Sequence, residues 1–149
     1  MKRIITLVLC TLVCLAGMAQ NMTSEQKEKA KDEIKLLQKD GWKCAGDHKL
    51  SDQVMDSREH MADTVNYVCG QGKGAGIDAK AAIATATEIA QQQALDKLKA
   101  HMHAIGFKKY NSGSDFKHLM TIYKVKDGNG YAIVRVALAV PKVQKQEQE

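Results

Sequence analysis

The strongest constraint on this chain is a long helix that carries small residues along one face. Asp78 is a typical helix N-cap residue, and apolar residues then recur at steps of three and four as far as about Ala104. These positions are Ala79, Ile83, Ala86, Ala90, Ala94, Leu98, Met102 and Ile105. Such a stripe must be buried against a partner, and its alanines allow the helix to lie close to a sheet. The rest of the chain therefore has to supply that sheet.

Strand patterns lie on both sides of this helix. Before it, Thr64–Cys69 alternates in a way that separates two faces of a strand. After it, Leu119–Lys126 and Tyr131–Val140 alternate around Asp127-Gly128-Asn129-Gly130, which is typical of a hairpin turn. A further short strand is expected at Phe107–Tyr110. This order predicts an α+β fold, in which a small antiparallel sheet of one strand and a β-hairpin packs on one long Ala-rich helix.

The N-terminal third of the chain is predicted to be helical. Thr23-Ser24-Glu25-Gln26 is a capping-box sequence, and the helix that it begins is expected to end at Gly41. Trp42 is expected to pack back against the apolar edge of this helix, and a second, shorter helix is expected to begin near Leu50. The predicted organisation is a helical arm over residues 20–62, an α+β core over residues 63–141 and a polar tail over residues 142–149.

The first nineteen residues have the layout of a secretory signal peptide. Lys2 and Arg3 precede an uncharged apolar run, Ile4–Leu15, and Ala16-Gly17-Met18-Ala19 supplies small residues for cleavage before Gln20. The run is shorter than the roughly 20 apolar residues that a membrane-spanning helix needs. We therefore expect a periplasmic or secreted protein, with no transmembrane segment after cleavage.

The amount and distribution of charge argue against a nucleic-acid partner. Removal of Lys2 and Arg3 lowers the formal net charge from +5 to +3. The remaining lysines and arginines are interspersed with acidic residues and form no basic stripe. The expected partner is instead an envelope protein or a glycan.

The glycine-rich segment Gly70–Gly76 lies between a predicted strand and a predicted helix, where phosphate-binding loops are found. It lacks the Gly-Lys-Ser/Thr ending of a P-loop, and Ala75 stands where the dinucleotide fingerprint has its third glycine. One interpretation is a flexible connection whose glycines permit tight turns. The other is a small-ligand or phosphate site, formed by Gly70, Gly72, Lys73 and Gly74.

Two cysteines remain after cleavage, Cys44 and Cys69. In an oxidising compartment the simplest expectation is one disulfide between them. The alternatives are a Cys69 buried as a small hydrophobic residue, or a catalytic thiol with His48 or His60 as its base. None of the histidines falls into a metal-binding pattern, so we expect no metal and no cofactor. The chain also shows no Ser-His-Asp order and no paired inward carboxylates, so we expect no catalytic residue.

Parts of the chain resemble a known group of envelope proteins. Tyr67-Val68-Cys69-Gly70-Gln71-Gly72, followed by the helix from Asp78, is similar to the core of small Gram-negative proteins grouped with the twenty-kilodalton surface lipoproteins. The N-terminal domain of a flagellar assembly protein resembles the same layout. Tyr131–Val136 is similar to the final strand of that group, and Leu37–Lys43 resembles the N-terminal arm of secreted relatives.

This resemblance implies an envelope location and brings no catalytic residues with it. The chain departs from the lipoprotein members, because Leu9 and Val13, which precede Cys10 and Cys14, are not the small residues that lipid attachment needs. We therefore expect an exported, non-enzymatic binding or structural module of the cell envelope. The alternative is a periplasmic protein that binds a small ligand or phosphate through Gly70–Gly76. A thiol-dependent enzyme using Cys44 or Cys69 is the third.

Overall fold

A computed structural model describes residues 22–110 and 115–142. The predicted α+β fold is confirmed, with three helices and a four-stranded antiparallel sheet in these ranges. The predicted signal peptide and nearly all of the predicted tail lie outside the described residues. The helices are α1 (Ser24–Lys39), α2 (Leu50–Ala62) and α3 (Ala79–Ala104). The strands are β1 (Lys43–Cys44), β2 (Tyr67–Gly76), β3 (Lys117–Lys126) and β4 (Asn129–Ala139).

The strands lie in the order β1-β3-β4-β2, and every neighbouring pair is antiparallel. The predicted hairpin turn joins β3 to β4, and its central residues, Asp127 and Gly128, both have positive φ angles, of 54° and 77°. The predicted arm also contributes to the sheet, because Lys43 and Cys44 pair with β3. No sequence pattern had indicated this two-residue strand.

The interpretation of Gly70–Gly76 as a connecting loop is wrong. β2 continues through the whole segment and pairs with β4 from Tyr67–Ala139 to Gly76–Gly130. Gly70, Gly72 and Gly74 all face α3, and a Cβ atom on each would overlap a backbone carbonyl oxygen of that helix. The glycines are therefore required by the close approach of helix and strand, since only hydrogen fits between them.

The face of the sheet toward α3 forms the larger core. The predicted stripe is confirmed at its centre, where Ala86, Ala90 and Ala94 are fully buried. The inward residues of β4 complete this core: Ala132, Val134, Val136 and Leu138. Phe107 and Tyr110 also pack against it, but residues 107–110 form no strand, which corrects that prediction. Their side chains close the core beyond the C-terminal end of α3.

The opposite face of the sheet carries α1 and α2. Thr23 and Gln26 form the predicted capping box, with hydrogen bonds of 2.9 and 3.2 Å, and Gly41 follows the helix with φ of +81°. Trp42 packs, as predicted, into the smaller core between these helices and the sheet. None of the described helices has the length and hydropathy that spanning a membrane requires.

Candidate functional site

The helices on the smaller-core face leave the hairpin end of the sheet uncovered. α2 contacts the middle of that face, where Gln53 accepts a hydrogen bond from the backbone N–H of Thr121 at 3.1 Å. Toward the hairpin, Trp42 stands at the border of a cleft with a volume of about 460 Å³. The cleft is lined by Trp42, Lys73, Gly74, Lys124, Lys126, Asp127, Tyr131, Ala132 and Ile133.

Strand register brings the polar side chains of this cleft together. Lys124 lies opposite Tyr131 across the β3–β4 pair, and Lys73 lies opposite Ile133 across the β4–β2 pair. Because side chains alternate between the two faces of a strand, Lys124 and Lys126 point to the same face as Tyr131. The cleft therefore has a floor of β4 side chains, with lysines on both neighbouring strands.

One side of the cleft holds a hydrogen-bonded group of three side chains. Lys124 Nζ donates to Asp40 Oδ2 at 2.6 Å, and Trp42 Nε1 donates to the same oxygen at 3.1 Å. The Lys124 ammonium also lies 4.8 Å from the centroid of the indole ring. The hydrogen bond from Lys124, followed by that from Trp42, lowers the pKa of Asp40 below its usual value. Asp40 therefore remains ionised at neutral pH.

The other lysines of the cleft supply charge that faces solvent. Lys73 and Lys126 are exposed, and neither forms an ion pair with a carboxylate in the described part of the chain. An anionic group that enters the cleft therefore meets two ammonium groups without having to displace a partner from them. Electrostatic attraction of this kind raises both the affinity and the rate of association for anions.

The structure divides the set of residues predicted as a ligand site. Lys73 lines the cleft, and Gly74 lines it from the side away from α3. Gly70 and Gly72 are buried beneath α3 and do not line the cleft. Sequence reasoning missed the other cleft residues: Trp42, Lys124, Lys126 and Tyr131. The alternation within the hairpin did contain a signal, since it places both missed lysines and Tyr131 on one face.

A second polar group lies beneath α1 and α2, centred on Arg135. This side chain is only 5% exposed, and it donates to Gln71 Oε1 at 2.7 Å, to Ser57 Oγ at 3.0 Å and to the Glu33 carboxylate. Arg58 Nε donates to Glu33 Oε2 at 2.7 Å. The group joins both helices to β2 and β4. Every one of these polar atoms binds another side chain, so we interpret the group as a structural lock between the layers.

Glu33 carries the negative charge of this lock. Burial by itself would raise the pKa of Glu33, but hydrogen bonds from Arg135 and Arg58, together with their positive charges, lower it below the usual value. The ionised carboxylate is therefore more stable in the folded protein than in the unfolded chain. Its protonation must weaken the attachment of α1 to the sheet.

The predicted disulfide between Cys44 and Cys69 is wrong. Both cysteines are free thiols, on the strands at opposite edges of the sheet. With β3 and β4 between them, the two backbones are about 14 Å apart at the usual strand spacing. A disulfide needs Cα atoms within about 7 Å. The order of the strands keeps the two cysteines apart, and their spacing in the sequence does not reveal that order.

The enzyme alternative requires a cysteine whose pKa is lowered by a neighbouring histidine. Burial raises the pKa of Cys69 to about 11, and burial also raises the pKa of Cys44. The ring nitrogens of His60 lie 2.8 Å from the Asp56 carbonyl oxygen and 3.0 Å from Lys117 Nζ. This imidazole is therefore engaged by other groups.

We predict that Cys69 reacts with iodoacetamide at pH 7.5 about 100-fold more slowly than free cysteine, because the thiolate is the reacting species. The rate is measured by peptide mass mapping of the native protein, with the same digest after urea denaturation as the control. A peptide that joins Cys44 to Cys69 under non-reducing conditions would contradict the structure.

Histidines and aspartates meet in a separate cavity of about 270 Å³ beside α2. It is lined by His48, Asp52, Gln53, Asp56, His118 and Leu119. Across residues 22–110 and 115–142, no three His, Cys, Asp or Glu side chains are close enough to hold a metal ion. We therefore do not interpret this cavity as a metal site.

No family model, curated protein or solved structure matches this chain. The resemblance to envelope lipoproteins and to a flagellar assembly domain thus remains an expectation from the sequence. What the structure adds is the cleft at the hairpin end of the sheet, where aromatic and cationic side chains converge.

Proposed function

We propose that this protein is an exported, non-enzymatic binding module of the cell envelope, and that the cleft beside Trp42 binds an anionic sugar or the acidic unit of a glycan. The observation that carries the proposal is the convergence of Trp42 and Tyr131 with Lys73, Lys124 and Lys126 on one uncovered surface of the sheet. The signal-peptide layout of residues 1–19 supports the location.

The chemistry of the lining residues favours binding. Lysine ammonium groups attract carboxylates and phosphates, and Trp and Tyr offer an apolar ring with a polar edge. Ile133 adds an apolar patch to the floor between the charged strands. A volume of about 460 Å³ falls in the range of small-molecule sites and suits one or two sugar rings.

A phosphate-bearing ligand is the second candidate for this cleft, in place of the phosphate site that the sequence suggested at Gly70–Gly76. The presence of Lys73 and Gly74 in the cleft supports a role for these residues in binding an anion. Phosphorylated and carboxylated ligands would use the same ammonium groups, so both belong in the experiment that tests the proposal.

The indole of Trp42 provides the readout, because the chain contains one tryptophan. Fluorescence of the purified protein is titrated with digalacturonate, glucose 6-phosphate and the neutral disaccharide cellobiose. We expect a saturable change with at least one of the two anionic probes and a much weaker response to cellobiose. A flat response to both anionic probes would contradict the proposal.

We predict that Lys73→Ala weakens binding of the anionic probe by roughly two- to five-fold, as expected for the loss of one exposed charge. The matched control is Lys99→Ala, which removes an exposed lysine of α3 on the other side of the sheet. Equal dissociation constants for Lys73→Ala and Lys99→Ala would place the ligand elsewhere on the molecule.

A further inference from the structure

The Asp40 side chain occupies two hydrogen-bond donors at the cleft that an anionic ligand would otherwise use. The two donors on the Trp42 side of the cleft, Lys124 Nζ and Trp42 Nε1, both bind one carboxylate oxygen of the chain itself. The Lys124 side chain is 20% exposed, whereas that of Asp40 is 63% exposed. The carboxylate therefore sits at the solvent side of a largely covered cation, as the oxyanion of a ligand would.

Asp40 gains little from its own helix at this position. It is the C-cap residue of α1, and the negative end of a helix dipole is an unfavourable place for a carboxylate. Its side chain has no hydrogen bonds to described residues other than those from Lys124 and Trp42. Because the Asp40 side chain is 63% exposed, water can solvate its carboxylate when it leaves these donors, so it can leave without disturbing the core.

We propose that Asp40 is an internal competitor, whose carboxylate occupies the Lys124–Trp42 donors until the oxyanion of a ligand replaces it. The inference rests on the proposed function and specifies how the same site is regulated. It also defines the ligand chemistry, which is a sugar bearing an oxyanion whose oxygen accepts from an ammonium and an indole N–H. A carboxylate and a phosphate both meet that description.

The exchange lowers the apparent affinity of the cleft. A ligand must displace Asp40 before it reaches Lys124, so the affinity is reduced by the fraction of molecules in which the donors are occupied. Ligands that reach only Lys73 and Lys126 avoid this competition. Removal of the Asp40 charge should therefore strengthen anion binding more than removal of another negative charge at the cleft does.

The test compares Asp40→Asn with Asp127→Asn by titration of Trp42 fluorescence with digalacturonate and glucose 6-phosphate. Asp127 lines the cleft, and Asp40 accepts hydrogen bonds from two of its lining residues. Each variant therefore removes one acidic charge at the cleft, but only Asp40→Asn releases Lys124 and Trp42 from an ionised partner. Asn is tolerated at position 127, where φ is positive. We expect Asp40→Asn to lower the dissociation constant roughly three- to five-fold and Asp127→Asn to lower it by less than about two-fold.

If both variants lowered the dissociation constant by the same factor, the inference would be overturned. The loss of one negative charge near the cleft would then account for the effect. Weaker binding by Asp40→Asn would also overturn it, because Asp40 would then support the site. If the unsubstituted protein binds neither anionic probe, the proposed function fails as well, so the two failures are distinguishable. The probe that gains more from Asp40→Asn identifies whether a carboxylate or a phosphate replaces Asp40.

Discussion

Gly72→Ala is expected to lower the free energy of unfolding by about 3 kcal/mol, the upper end of what one added methyl group costs in a packed core. The Cβ atom would overlap the carbonyl oxygen of Ala86. Neither backbone can yield locally, because Gly70 and Gly74 hold the neighbouring turns of α3 against β2 in the same way. Urea unfolding followed by circular dichroism measures the loss.

The control for this substitution is Ala75→Val, on the same strand. Ala75 is exposed and points to the opposite face, so two added methyl groups should change the stability by no more than about 0.5 kcal/mol. A Gly72→Ala protein as stable as Ala75→Val would show that α3 does not lie directly on the strand. The close packing of an alanine helix on a glycine strand would then have to be abandoned.

Glu33→Gln is the second substitution with a large expected effect, a loss of about 3 kcal/mol at pH 7. Removal of one partner from a buried ion pair leaves an uncompensated charge, here the Arg135 guanidinium beneath α1 and α2. Arg58 would be left beside it, so two cations would face one another without their shared carboxylate. The same urea titration measures this change.

The matched control is Glu28→Gln on the same helix, because Glu28 forms only an exposed ion pair with Lys31, at 3.8 Å. We expect that substitution to cost less than about 0.5 kcal/mol. Similar losses from the two glutamate substitutions would show that the buried lock does not fasten α1 to the sheet.

The stability of the unsubstituted protein should also depend on pH through Glu33. Because its pKa is lower in the folded protein than in the unfolded chain, its contribution is complete well above the unfolded value of about 4.3. That contribution is lost as the pH falls from there through the lowered pKa of the folded state. Glu33→Gln should show a smaller loss over the same interval, and an identical acid profile would contradict this role for Glu33.

Local sequence signals predicted the elements whose structure depends on local contacts. The capping box at Thr23, the N-cap at Asp78 and the turn at Asp127-Gly128 each satisfy nearby backbone groups, so their spacing was sufficient. The glycine-rich part of β2 could not be predicted in this way, because glycine is disfavoured in strands unless another backbone lies close by. Only the packed position of α3 explains why Gly70–Gly76 is extended.

The candidate site was only partly predictable for the same reason. Lys73 was singled out, but as part of a loop, and its true neighbours come from other strands. Trp42 and Lys124 are far apart in the chain and meet because β1 pairs with β3. The disulfide prediction failed on strand order as well, since the spacing of Cys44 and Cys69 does not reveal that they lie at opposite edges.

The claim that the cleft is the ligand surface is tested most directly by a map of backbone and indole ¹H–¹⁵N shifts during titration with digalacturonate. We predict that the largest changes fall on the Trp42 indole N–H and on the amides of Lys73, Gly74, Lys124 and Tyr131. Residues of α3 on the far side of the sheet should remain unchanged. Shifts centred on the cavity around His48 and His118, with the Trp42 indole unmoved, would contradict the account.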